Sequence, residues 1–142
     1  MATQITTAVA TALDTALTAA ADDAFAAALG TNAVVEIRTG AAPGPGNAAT
    51  GTLLASVTIA SWTPASPSAG QVTGSNPAAV TISNSGTAGH FRVKTSGGTA
   101  VLEGSVGTSA ADMILDSVAL VAGGTLDLGA PVFTIPVTVA TA

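Results

Sequence analysis

The chain has 142 residues, of which 8% are charged and 48% hydrophobic, with a net charge of -5 and no cysteine. The absence of Cys excludes disulfides and thiolate metal sites, and three strong cations, Arg38, Arg92 and Lys94, are too few to neutralise the phosphates that dominate nucleic-acid affinity. A soluble monomer keeps roughly 25–35% of its surface charged, so this chain is expected to bury part of its exterior against other copies or another protein.

The opening, MATQITTAVATAL, lacks a basic n-region, and Asp14, Asp22 and Asp23 interrupt the Ala-rich stretch that follows. Neither a secretory signal nor a membrane span is expected there. From Thr7 to Leu29, Ala dominates, and Val9, Leu13, Leu17, Ala20, Ala24 and Ala28 recur at spacings of three and four. That period predicts a helix, capped by Thr6 or Thr7 and closed by Gly30 in a left-handed conformation. The Asp22-Asp23 pair would alternatively divide it into two shorter helices. Its stripe of small side chains buries little area, so it must lie on the rest of the body or pair with another subunit. Residues 1–30 are thus read as a helical arm and 31–142 as the body.

Beyond Gly30 the pattern alternates, β-branched residues become frequent, and Gly, Pro, Asn and Ser mark turns. Strands are predicted at Ala33–Thr39, Thr52–Ala60, Ala78–Ser83, His90–Thr95, Ala100–Val106, Met113–Val121, Thr125–Leu128 and Val132–Val139. Strands this short and numerous predict a mainly β fold, a β-sandwich or jelly-roll-like barrel. Leu53, Ala55, Val57 and Ile59 should face the core while Leu54, Ser56, Thr58 and Ala60 point outward. Phe91 and Val93 alternate with His90, Arg92 and Lys94, and Phe133, Ile135, Val137 and Val139 alternate with Val132, Thr134, Pro136 and Thr138. Pro136 places the last strand at an edge. Ser96-Gly97-Gly98 reads as a hairpin turn. The stretches Ala41–Thr50 and Pro64–Pro77 read as surface loops.

No catalytic constellation stands out. His90, the single histidine, reads as an exposed strand residue, because no G-x-S-x-G elbow accompanies it. Asp112 and Asp116 are the best carboxylate pair, but no dense Asp/Asn/Gly loop supplies the six or so oxygens a hard cation takes. A glycan hydrolase would need two carboxylates across a cleft, for which only Glu36, Glu103 and the aspartates are available. No phosphate-cradling glycine motif is present, and no cofactor is expected. Trp62, the single tryptophan, is read as core or interface packing. His90, Arg92 and Lys94 share one strand face, and Glu36 and Arg38 share another. These rows form either cross-strand ion pairs of little worth or contacts to an acidic partner, in which case charge reversal at Arg92 weakens binding and leaves thermal stability unchanged.

The stretch TNAVVEIRTGAAPGPGNAATGTLLASVTI at Thr31–Ile59, with GTAGHFRVK at Gly86–Lys94 and VGTSAADMILDSVAL at Val106–Leu120, resembles a group of small virion proteins of tailed bacteriophages that accompany head structural genes. The resemblance implies a capsid decoration or cement subunit without catalytic residues, made in the host cytoplasm and residing on the capsid surface. The partners it implies are other copies, as a homotrimer, and the phage major capsid protein, with neither nucleic acid nor membrane involved. A tail-tip, fibre or baseplate module contacting the host surface is the alternative. Val9, Leu13, Leu17, Trp62, His90, Arg92 and Lys94 are the expected interface residues.

Overall fold

The computed structural model describes residues 8, 9, 12, 23–44, 46–64 and 71–134. The described residues are mainly β, with a short helix at 23–29, and the principal sheet is curled. Among the described residues there are eleven strands: β1 (Ala33–Thr39), β2 (Leu53–Ile59), β3 (Trp62–Pro64), β4 (Gln71–Gly74), β5 (Val80–Thr81), β6 (Gly86–Lys94), β7 (Ala100–Gly107), β8 (Met113–Ile114), β9 (Ala119–Leu120), β10 (Thr125–Leu126) and β11 (Val132–Thr134). The principal sheet has the order β2-β1-β6-β7-β8, with β9 pairing with the start of β6. All its pairings are antiparallel except β7 with β8. A second sheet has the order β11-β4-β3, and β5 pairs with β10.

Residues 8, 9, 12 and 23–29 are helical. Gly30 ends the helix at a φ of 66° and donates its N–H to Ala26 O, a left-handed stop that a side chain would strain. The stripe read from the sequence is displaced in this last turn. Ala24 and Ala28 are exposed, whereas Leu29 is buried and Phe25 and Ala26 pack on the core. Phe25 and Leu29 are one turn apart and carry far more apolar area than alanine, so they decide which face docks. Leu13, Leu17 and Ala20 lie outside the described residues, as do Ile135, Pro136 and the remainder of the last predicted strand.

β1 spans the predicted residues, and the β6–β7 hairpin turns through 96–98, with Thr95 N–H bonded to Thr99 O. Other strands differ. The predicted Met113–Val121 strand is two short pieces, β8 and β9, separated by residues 115–118. Only Val80–Thr81 survives of Ala78–Ser83. The region read as a loop from Pro64 to Pro77 contains β4, which is paired on both sides, by β3 and β11.

Ala55, Val57 and Ile59 face the core as expected, whereas Leu53, expected inward, is only partly buried and Leu54, expected outward, is buried. The chain at Ser83 and Asn84 folds against that end of β2, both residues donating their N–H to Leu54 O, and closes it from water. Val35, Ile37, Phe91 and Val93 form the inner face of the principal sheet and are essentially inaccessible. Phe91 stacks on Phe133 of β11 at 5.7 Å, and Phe133 stacks on Trp62 of β3 at 5.5 Å. This aromatic column joins the two sheets, and Trp62 is buried within it.

Candidate functional site

The opposite face of the principal sheet holds the chain's strong cations and both its glutamates. Side chains alternate along a strand, so Glu36 and Arg38 of β1, His90, Arg92 and Lys94 of β6, and Glu103 of β7 share that face. The register sets Glu36, Arg92 and Glu103 in one row across three strands, and Arg38, His90 and Ser105 in the next. Ser56 of β2 continues the first row beyond Glu36.

Every ion pair among the described residues is in this array. Lys94 Nζ lies 2.6 Å from Glu36 Oε1, and Arg38 Nε lies 2.9 Å from Glu36 Oε2. Arg92 donates through Nε to Glu103 Oε1. Burial pushes the Glu36 carboxyl up, but hydrogen bonds from Lys94 and Arg38, with their charges, outweigh it and hold the group below the usual carboxylate range.

The loop from Gly40 to Gly51 lies over the array and is fastened to it through backbone groups. His90 Nδ1 lies 2.9 Å from Gly40 O, and since a carbonyl only accepts, Nδ1 carries the proton. Glu103 Oε2 accepts the Gly44 N–H at 2.7 Å. Arg92 Nη2 donates to Gly44 O and Asn47 O at 3.1 and 2.8 Å, and Arg38 Nη1 donates to Gly51 O at 3.2 Å. Gly89 makes the close approach of this loop possible, because a Cβ there would collide with the backbone of Gly40.

This face differs from the exposed one expected for His90. His90 is fully buried, and only 4% of Arg92 is exposed, so the face is covered rather than solvated. The cross-strand ion pairs are present, and Arg92 is engaged internally on three acceptors. Charge reversal there cannot leave thermal stability unchanged. Lys94 is the most accessible of the three cations, with a quarter of its side chain exposed. Trp62 sits in the aromatic column, away from this array. Val9 is half-exposed on helical backbone, and Leu13 and Leu17 lie outside the described residues.

Glu36 and Glu103, the carboxylates weighed for hydrolysis, are both paired beneath the loop. Asp112 and Asp116 do not form a common ligand set. Asp112 Oδ2 accepts the Ser105 N–H and hydroxyl, both at 2.9 Å, and these bonds lower its pKa. Among the described residues no three His, Cys, Asp or Glu side chains gather as a metal site, and no helix is long and apolar enough to cross a membrane. Trp62 Nε1 and His90 Nε2 are buried without a hydrogen-bond partner. Sequence reasoning missed the fastening of the loop, although Glu103 and the Pro-Gly-Pro-Gly run were both visible.

Comparison with protein families, curated proteins and solved structures finds no match to this chain.

Proposed function

We propose that this protein is a structural subunit of a tailed-bacteriophage virion, a head decoration or cement protein that binds the assembled shell as a homotrimer. In this reading the body is a jelly-roll-like sandwich and the N-terminal residues form a helical arm. One observation carries it: the strong cations and both glutamates are engaged with one another and with a loop on a single sheet face, so the rest of the exterior has aspartates as its only strong charges. That exterior also carries large exposed apolar side chains, Ile114, Val121 and Val132. A surface of this kind gains by being covered, and symmetric multi-copy attachment covers it repeatedly.

Stabilisation of the shell follows from mass action. A subunit that binds only the closed lattice favours that lattice by its binding free energy. The test adds purified protein to heads that lack it. Saturable binding in a fixed ratio to the major capsid protein, with raised resistance of the heads to heat, is the expected result. Heads that take up no protein, or antibody labelling confined to the tail end of the virion, overturn the reading.

A further inference from the structure

Two depressions adjoin on the side of the body formed by residues 112–133. The larger, about 690 Å³, lies among β8, β9 and β10, with Leu120, Leu126 and Leu128 in its lining. The smaller, about 180 Å³, lies between residues 112–114 and 130–133, that is, between β8 and β11. Ile114 and Leu128 line both, so the two depressions meet at these side chains and together make up the groove. Its larger part is within the size range of ligand clefts, roughly 300–1,000 Å³.

The groove has two features that bear on its occupant. First, it passes between two strand edges. β8 ends the principal sheet and β11 ends the second, so among the described residues each has one side without a strand partner. Neither strand carries a charged residue to discourage pairing. Second, its charges have one sign. Asp112 lines the smaller part and Asp116 and Asp127 the larger, with no Lys, Arg or His in either lining. The bonds from Ser105 hold the Asp112 carboxyl below its usual range. None of these aspartates is in an ion pair, since every pair among the described residues uses Glu36 or Glu103.

We propose that this groove receives an extended segment of a different protein, apolar on one side and bearing Lys or Arg, which pairs with an open strand edge by β-augmentation. The chain itself lacks the complement. Its Arg38, Arg92 and Lys94 are all paired on the opposite sheet face, the side chains of residues 1–22 include Asp14 and Asp22 and no Lys, Arg or His, and residues 135–142 have no ionisable side chain. A second copy would bring like charge to like, which disfavours self-contact here. The proposal does not require the partner to be a capsid protein.

The test measures fluorescence anisotropy of a labelled peptide of alternating valine and lysine against the full chain. Saturable binding is expected, weakening as salt rises, and absent for a peptide with glutamate in place of lysine. The D116N/D127N variant should bind about tenfold more weakly, and so should I114S/V132S, which keeps every charge. N-methylation of alternate peptide residues, which replaces backbone donors by methyl groups and leaves every side chain and charge in place, should abolish binding. Equal affinity for the lysine and glutamate peptides, or indifference to I114S/V132S or to N-methylation, overturns the proposal in favour of unspecific attraction. Binding that emerges only after residues 135–142 are removed assigns the groove to the chain's own tail. Self-association in sedimentation that I114S/V132S abolishes assigns it to a second copy. Either result overturns the proposal while leaving head attachment to its own experiment.

Discussion

Replacing Arg92 by alanine removes the centre of the covered polar face. The Arg92 and Glu103 side chains are 5% and 3% exposed, so the substitution leaves a carboxylate out of water with the Gly44 N–H as its remaining donor among the described residues. The Asn47 carbonyl loses its Arg92 donor in the same step, and the Gly44 carbonyl keeps only the Asn47 N–H. Breaking a buried pair from one side costs about 3–5 kcal/mol. In a chain of this length that lowers Tm by about 10–15 °C. Urea unfolding followed through Trp62, the single tryptophan, measures the loss under a two-state analysis. The companion variant R92M/E103L removes both charges and keeps apolar volume, and it should lose no more than about 1–2 kcal/mol, because no ion is stranded. An Arg92→Ala protein within about 1 kcal/mol of the parent, or a double variant as damaged as the single one, would refute the argument that the loop excludes water from this face.

Two further outcomes follow from the same geometry. The Glu36 carboxyl is held below its ordinary value of 4.5, so its contribution to stability is complete above that value and is lost as pH falls through the lower folded value. Urea midpoints taken from neutral pH downward should therefore decline less steeply in Glu36→Gln than in the parent, and parallel acid limbs would contradict the assignment. Phe133 is half-buried between Phe91 and Trp62, so Phe133→Ala should cost about 2–3 kcal/mol, below the full core value. It should also shift Trp62 emission to the red, and an unchanged spectrum would mean that the column does not shield the indole.

What could be read from the sequence was local. Ala33–Thr39 is rich in β-branched residues, alternates apolar with charged ones from Val35 to Arg38, and forms β1 as predicted. Gly30 stops the helix where the apolar period ends, and Ser96-Gly97-Gly98 sits at the hairpin turn. The misses share a cause: strand assignments failed where residues depend on partners distant in sequence. β4 has one large apolar side chain, Val72, amid Gln, Thr and Gly, and its order comes from β3 and β11 on either side. The Met113–Val121 run looks continuous, but β8 pairs with the end of β7 while β9 pairs with the start of β6, so the chain must break between them.

Alternation shows which side chains share a face and is silent on whether that face is covered. This is why the pattern groups His90, Arg92 and Lys94 on one face and yet reads His90 as exposed. Their cover is a loop of Gly, Pro, Ala and Asn with almost no apolar area to recommend it to a core. It is held through its backbone, which any sequence possesses and no composition reveals. The charged residues that a soluble surface would normally display are thereby placed inside, where they anchor a loop to a central strand. The low overall charge consequently understates the imbalance outside. With Glu36, Glu103 and their cations committed to one another, the groove between β8 and β11 faces solvent with aspartates and aliphatic side chains, and whatever binds there must supply the positive charge itself.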